Sequence, residues 1–273
     1  MPELPEVENV KLSLEGLGAQ GQQFVRVQLM SPSLRTPLKK ILSQKLPGQK
    51  ILNLKRRAKF LLFETDEFCI VNHLGMTGSW RALALGEELI KHDHVLFQFK
   101  SGLRLVFNDP RRFGLLELIY KEKTHTHAWL KNLGPEPLLE PFTGEYLFAA
   151  TRKLKSPIKN VIMDQKKVVG VGNIYASEAL FLSKIKPTKA AGKIKRSEAD
   201  LLAAMIRQVL RKAIQAGGST IRDYKNTNGE SGRFQNEFSV YGRDGEKCVK
   251  CKTLIKSKFI GGRNTYWCPK CQF

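Results

Sequence analysis

Apolar residues recur at two different periods along this chain, and the switch between them separates a β part from a helical part. Behind Pro5, which suits the first turn of a helix, Val7, Val10, Leu14 and Leu17 follow at helical spacing. Gly16 and Gly18 mark the end of that helix. A helix starting this early pins the amino end to the body of the protein instead of leaving it frayed. From about residue 23 to residue 120 the period shortens to that of strands, with segments at 24–30, 51–54, 60–64, 95–99 and 103–107. Val95, Phe97 and Phe99 alternate with other residues, and Lys100-Ser101-Gly102 reads as a hairpin turn. An antiparallel β-sandwich or barrel-like sheet with a flanking helix is predicted.

Gly134-Pro135-Glu136-Pro137, continuing to Pro141, reads as a linker. Beyond it the pattern is helical. Ser197-Glu198-Ala199-Asp200 resembles a capping box, and Leu201, Leu202, Met205, Ile206, Val209 and Leu210 are expected on one face. Gly217-Gly218 ends that helix, and the polar, glycine-containing residues 223–232 predict a mobile loop with a function. The fold class is therefore α+β, and 273 residues with 42% apolar content suffice for two domains.

Charge narrows the partner. Forty-six Lys and Arg against twenty-five Asp and Glu leave +21, the balance of a protein that binds a polyanion. No apolar run approaches the ~20 residues that span a bilayer, and no amphipathic basic anchor is evident, so nucleic acid is favoured over membrane. The acidic, proline-containing start lacks the basic and apolar regions of a signal peptide, so a cytoplasmic location is expected. Ribosomal and structural nucleic-acid proteins share this charge, which identifies the partner and leaves the chemistry open.

Four of the five cysteines lie in the last 26 residues, as Cys248-Val249-Lys250-Cys251 and Cys268-Pro269-Lys270-Cys271 with sixteen residues between. Two such knuckles close tetrahedrally on one zinc ion, and an all-cysteine set leaves no position for a catalytic water, so the site reads as structural. Between them Gly261-Gly262-Arg263 forms the tip of a hairpin suited to clamping a DNA backbone, or to stability alone. Cys69 sits in an apolar stretch and reads as a buried structural thiol.

Removal of Met1 leaves Pro2 as a secondary amine beside Glu3. A terminal amine titrates near ~8, so roughly a tenth is unprotonated at neutral pH and is nucleophilic without much tuning. Its adduct with a sugar carbon is an iminium, already cationic. Read alone, Met-Pro-Glu is an ordinary soluble start. Gly170-Val171-Gly172-Asn173 precedes a helical stretch and can hold a phosphate oxygen or serve as a plain capped turn. Met76, in the loop His73–Gly78, and Phe113, after Arg111 and Arg112, have the shape to wedge into a base stack, although the core is the commoner fate of such side chains. Lys59 suits catalysis or phosphate binding. His92 and His94, two apart, are expected on one side of a strand in a polar surface role.

Together these motifs resemble the formamidopyrimidine-DNA glycosylase family of base-excision repair enzymes over nearly the whole chain. The residues that carry the likeness are Met1-Pro2-Glu3-Leu4-Pro5-Glu6-Val7-Glu8, Arg57-Ala58-Lys59-Phe60, the loops at 73–78 and 109–114, residues 170–178 and the cysteine hairpin. The resemblance implies a catalytic β-sandwich domain at 1–133, a linker at 134–142, a helix–two-turns–helix domain at 143–235 and a zinc finger at 236–273. Double-stranded DNA carrying an oxidised base would lie between the domains, with the protein acting as a monomer. It also implies roles. Pro2 attacks the anomeric carbon, Glu3 is a general acid in ring opening, Lys59 assists elimination, and Arg263 holds the lesion phosphate and takes part in the last elimination. Met76, Arg111 and Phe113 fill the gap in the helix, with His73 among the DNA contacts. His92, Lys159 and Asn173 grip phosphates, Lys155 makes general backbone contact, and residues 220–234 cover the extruded base. One zinc ion on Cys248, Cys251, Cys268 and Cys271 is implied, and no other cofactor. Two alternatives stay open: an endonuclease VIII-like enzyme for oxidised pyrimidines, and a zinc-containing damaged-DNA-binding protein without catalysis.

Overall fold

The structure, a computed structural model, describes residues 1–219 and 232–273. The chain forms two compact units, Met1–Lys131 with Ala216–Arg233, and Asn132–Gln215 with Phe234–Phe273.

In the first unit, α1 (Leu4–Gly16) starts where Pro5 predicts it. Eight strands follow: β1 (Phe24–Leu29), β2 (Asn53–Arg57), β3 (Phe60–Glu64), β4 (Phe68–His73), β5 (Ser79–Ala82), β6 (Asp93–Phe99), β7 (Arg104–Asn108) and β8 (Leu115–Tyr120), with a short helix α2 (Ile41–Lys45) after β1. They make two four-stranded antiparallel sheets, ordered β1-β6-β7-β5 and β2-β3-β4-β8. Phe24, Trp80, Phe97 and Phe107 from one sheet and Leu61, Phe63, Ile70 and Leu116 from the other share a single core, so the sheets form the expected sandwich. Val7, Val10 and Leu14 join that core. Each buried side chain contributes about 1.5–3 kcal/mol, enough to hold a helix that would be marginal alone in water. Strands β3 and β4 are buried on both faces, and β6 is too from Asp93 to Phe97, with Leu96 packing against Leu83 and Val106 on the face opposite Val95 and Phe97.

The second unit contains α3 (Gly144–Thr151), α4 (Ile158–Met163), α5 (Asn173–Leu182), α6 (Arg196–Gln215) and the hairpin of β9 (Lys256–Ile260) and β10 (Arg263–Trp267). Helix α6 begins one residue before Ser197, and the Glu198 carboxylate caps it by accepting the Lys195 N–H at 2.8 Å. The expected capping box is thus displaced, because Glu198 also binds Lys189 Nζ at 2.6 Å and fixes the entry of the chain. Leu202, Ile206, Val209 and Leu210 are buried, whereas Leu201 is exposed on the flank of the apolar stripe. Gly217 and Gly218 adopt left-handed φ values of 79° and 86° just past the helix.

Residues 134–142, expected as a linker, are packed into this unit. Gly134 N–H donates to the Gln165 carbonyl at 2.8 Å, and Arg207 donates to the carbonyls of Pro137, Leu139 and Phe142. The proline and glycine content signals irregular backbone, not exposure. No helix among the described residues is long and apolar enough to cross a membrane.

Candidate functional site

The head of α1 is held by its own acids. Pro2 and Glu3 are buried, while Met1 is 49% exposed. Glu3 is the extended N-cap and shares a capping box with Glu6: its carboxylate accepts the Glu6 N–H, and Glu6 Oε2 accepts the Glu3 N–H at 2.8 Å. The other Glu6 oxygen, Oε1, accepts the Ser219 N–H at 2.8 Å. One buried carboxylate therefore fixes both the amide following Pro2 and the backbone at the start of the 220–234 segment. Residues 220–231 of that segment, expected to cover an extruded base, lie outside the described residues.

Lys59 follows the tight β2–β3 turn, where Ala58 takes a left-handed φ of 56°. Arg56 ties this turn to α1 by donating to Glu8 Oε2 at 2.6 Å and to the Ala58 carbonyl at 3.1 Å. Burial pushes the Glu8 carboxyl up, but hydrogen bonds and charge from Arg56 and Lys11 outweigh it and hold it below the usual value. Lys59 is only 6% exposed, and its charge reaches His73, which pairs with Phe60 across β3 and β4. Burial first, then the charges of Lys59 and Arg35, push the His73 imidazole down to about 4. Its Nδ1 accepts the Gly75 N–H at 2.9 Å, so the proton of the neutral ring sits on Nε2. The sequence brought Lys59 and His73 forward separately, and the fold places them together, with His73 a neutral donor at physiological pH.

Met76 and Phe113 are 42% and 47% exposed, which excludes the core reading for both. The Arg111 guanidinium lies over the Phe113 ring, 4.7 Å from its centroid. Gly75, at φ 65°, runs against the backbone of Phe113 and Gly114; a Cβ there would come within 2.5 Å of the Phe113 carbonyl carbon. His92 and His94 do not share a side. His92 precedes β6 with φ 73°, whereas His94 is buried at an irregularity in the β6–β7 pairing. His94 Nε2 donates to the Asp109 carbonyl at 2.9 Å, and its Nδ1 is hydrogen-bonded with the Ser31 hydroxyl, also at 2.9 Å.

In the second unit, Asn173 opens α5 behind Gly172, and Gln165 shapes the preceding turn by accepting the Gly170 N–H at 2.7 Å and donating to the Val171 carbonyl at 3.1 Å. Asn173 Nδ2 donates to the Asn264 carbonyl of β10 at 3.0 Å. Lys159 is fully buried, and its ammonium donates to Asn173 Oδ1 and, at 2.6 Å, to Thr265 Oγ1. Lys159, for which the family resemblance implies a phosphate contact, thus ties α4, α5 and the hairpin together. Lys155 is exposed, but Arg152 in the same basic stretch is engaged with the carbonyls of Phe148, Ala191 and Ile194. Arg263 is exposed at the hairpin tip, after Gly261 and Gly262 at φ 57° and 76°. A side chain at Gly261 would collide with the Asn160 amide, so the tip sits directly on α4.

The four cysteine sulfurs lie within 4.8 Å of one another, with Cys248–Cys271 at 3.9 Å and Cys251–Cys268 at 3.4 Å. A tetrahedral zinc thiolate site needs sulfurs about 3.8 Å apart. The Lys250 N–H points at Cys248 Sγ and the Cys271 N–H at Cys268 Sγ, both at 3.4 Å, an arrangement that favours thiolates. The donor set fits one structural zinc ion with no open position. Gln272 anchors the knuckle by accepting the Cys268 N–H and donating to the Ile185 carbonyl.

Three buried acids take a bracing role in the structure. Glu6 and Asp109 brace the first unit, and Glu178 on α5 accepts the N–H groups of Ser239, Val240 and Tyr241 at 2.9–3.0 Å. Glu6 carried a signal in its spacing from Glu3. Asp109 and Glu178 carried none, since a buried acid bound to backbone donors has no sequence signature.

Family models match in the order of these features: the formamidopyrimidine-DNA glycosylase N-terminal domain over residues 1–116, the formamidopyrimidine-DNA glycosylase H2TH domain over 133–225, and the zinc finger found in FPG and IleRS over 245–272. The chain belongs to the formamidopyrimidine-DNA glycosylase family. It is 47% identical to the formamidopyrimidine-DNA glycosylases of Bdellovibrio bacteriovorus and Alteromonas mediterranea over 272 residues, covering all of both chains in each case. Among solved structures of this family it is similar to Lactococcus lactis Fpg in complex with an abasic-site DNA, with a TM-score of 0.91, 38% identity and 99% of each chain covered. Wild-type L. lactis Fpg bound to an oxidized-pyrimidine DNA matches at a TM-score of 0.90 and 37% identity, again over 99% of each chain.

Proposed function

We propose that this chain is a DNA glycosylase and abasic-site lyase that removes oxidised purines, 8-oxoguanine and formamidopyrimidines, from double-stranded DNA. The Pro2 nitrogen, released by removal of Met1, attacks C1′ of the damaged nucleotide, and the bond from C1′ to the base breaks. Glu3 protonates the sugar oxygen as the ring opens, which leaves an iminium between Pro2 and C1′. That cation acidifies the C2′ hydrogen. Its loss expels the 3′ phosphate, a second elimination expels the 5′ phosphate, and water releases the enzyme. Lys59 serves these eliminations as proton donor and phosphate contact.

In the second unit, Arg263 and Asn173 contact backbone phosphate, with Lys159 orienting Asn173 from beneath. Met76, Arg111 and Phe113 occupy the space left in the helix, and His73, His92 and Lys155 make further DNA contacts. The zinc ion holds the hairpin and supplies no chemistry to the reacting sugar. The protein works as a monomer in the cytoplasm.

The observation that carries this reading is the buried Pro2 directly before Glu3, which two reciprocal hydrogen bonds with Glu6 fix at the head of α1, since a protein that only binds DNA needs no fixed amine terminus. The test is sodium borohydride trapping on a duplex with one 8-oxoguanine opposite cytosine. A covalent protein–DNA adduct through Pro2 is expected. Absence of an adduct, or Met1 retained on fully active molecules, would overturn the mechanism. Binding without strand cleavage would favour the non-catalytic alternative. A lesion panel that includes oxidised pyrimidines measures the substrate range.

A further inference from the structure

Two loops carry the exposed tips of the first unit, Met76 on one and Arg111 with Phe113 on the other, and one buried side chain joins them. Asp109 is fully buried. Its Oδ1 accepts the Thr77 hydroxyl at 2.5 Å and the Arg111 N–H at 3.3 Å, and its Oδ2 accepts the Gly114 N–H at 2.7 Å. Thr77 follows Met76 directly, while Arg111 and Gly114 bracket the other tip. These donors are neutral, and the short Thr77 contact is in the range of a charge-assisted O–H···O⁻ bond. The aspartate is itself anchored to the sheet: its N–H donates to the His92 carbonyl at 3.0 Å, and its carbonyl accepts from His94 Nε2.

The surrounding packing leaves the loops little slack. Gly75 lies on the backbone of Phe113 and Gly114, and a Cβ on Gly114 would come within 2.9 Å of Asp109 Oδ2. A loop tip by itself yields when pushed into a base stack. Two tips joined through a buried carboxylate move together and transmit force to the sheet.

We propose that Asp109 is a positioning residue that locks Met76, Arg111 and Phe113 into one rigid wedge through its bond to Thr77, and that this bond serves extrusion of the base rather than bond cleavage. The inference rests on the glycosylase reading above. It requires that weakening the Thr77–Asp109 bond harm steps that disrupt an intact pair and spare those that do not. Extruding a base costs a few kcal/mol, and less from a mismatch.

The test compares Thr77→Val, close in shape but without the hydroxyl, with Thr77→Ser, which restores it. Asp109 stays in place with its bonds to the Arg111 and Gly114 N–H groups, while the Arg111 N–H loses Thr77 Oγ1, its other acceptor at 3.3 Å, which Thr77→Ser also restores. Single-turnover rates are measured on three duplexes: 8-oxoguanine opposite cytosine, 8-oxoguanine in an unpaired bulge, and a preformed abasic site. Thr77→Val should slow the first about tenfold, the loss of one charge-assisted hydrogen bond, and change the other two less than twofold. Thr77→Ser should return the first to within about twofold of wild type. Equal slowing on all three duplexes, no slowing on the paired lesion, or no recovery in Thr77→Ser would overturn the proposal. Failure of the glycosylase reading shows differently, as a wild-type protein that neither cleaves the abasic duplex nor forms the borohydride adduct.

Discussion

Acidification should destabilise the first unit through one imidazole, His73. Its ordinary value is 6.5, and burial beside Lys59 and Arg35 brings it down to about 4 in the fold. Between these values the unfolded chain binds a proton that the folded chain refuses. Stability therefore rises with pH across this window, is complete above about 6.5 and reaches its floor below about 4. At roughly 1.4 kcal/mol per unit, the full difference is about 3 kcal/mol, and about 2 kcal/mol of it is lost by pH 5. His73→Asn provides the control, because its side-chain oxygen can accept the Gly75 N–H where Nδ1 does and it has no proton to gain. Urea unfolding at pH 5.0 and 7.5 should show wild type losing about 2 kcal/mol more than the variant on acidification. The His73 ring signals in NMR should stay those of the neutral form down to about pH 5. Equal pH dependence in the two proteins, or titration of His73 near 6.5, would refute the argument. Burial of the ring and the charges of Lys59 and Arg35 would then not hold the imidazole neutral.

Glu3→Gln should keep lesion binding within a few-fold and lose base removal by at least a hundredfold; full activity in a single-turnover assay would remove Glu3 from the mechanism. Cys268→Ser should release zinc, measured by metal content, and weaken DNA binding at least tenfold in a titration, because the hairpin carrying Arg263 loses its staple. Lys159→Met should destabilise the second unit by about 1–3 kcal/mol in urea unfolding, since the buried Thr265 Oγ1 and the partly buried Asn173 Oδ1 lose a charged donor. Unchanged stability would show that the Lys159 ammonium contributes nothing net where it is buried. Affinity for duplex DNA should fall steeply with salt as phosphate counterions are released, and a flat dependence would contradict the +21 charge as the source of binding.

Helix α1, the hairpin of β6 and β7 and the cysteine knuckles follow from local pattern, because each is specified by residues close in sequence. Pro5 and the spacing of Val7, Val10 and Leu14 define a helix; Gly102 turns a hairpin at φ 88°; two paired cysteines define a metal site. Net charge gave the partner on the same footing, since composition needs no fold. The amino acids also named Pro2, Glu3, Lys59 and Arg263, through order and type. What those residues experience was decided by contacts far apart along the chain. Nothing in the sequence shows that Lys159 is enclosed by Asn173 and Thr265, and the choice between wedge and core for Met76 and Phe113 is made only by their exposure in the fold. The bracing acids Asp109 and Glu178 were invisible for the same reason. A carboxylate that binds backbone N–H groups from distant segments acquires its role only when tertiary packing removes water and brings those donors to it.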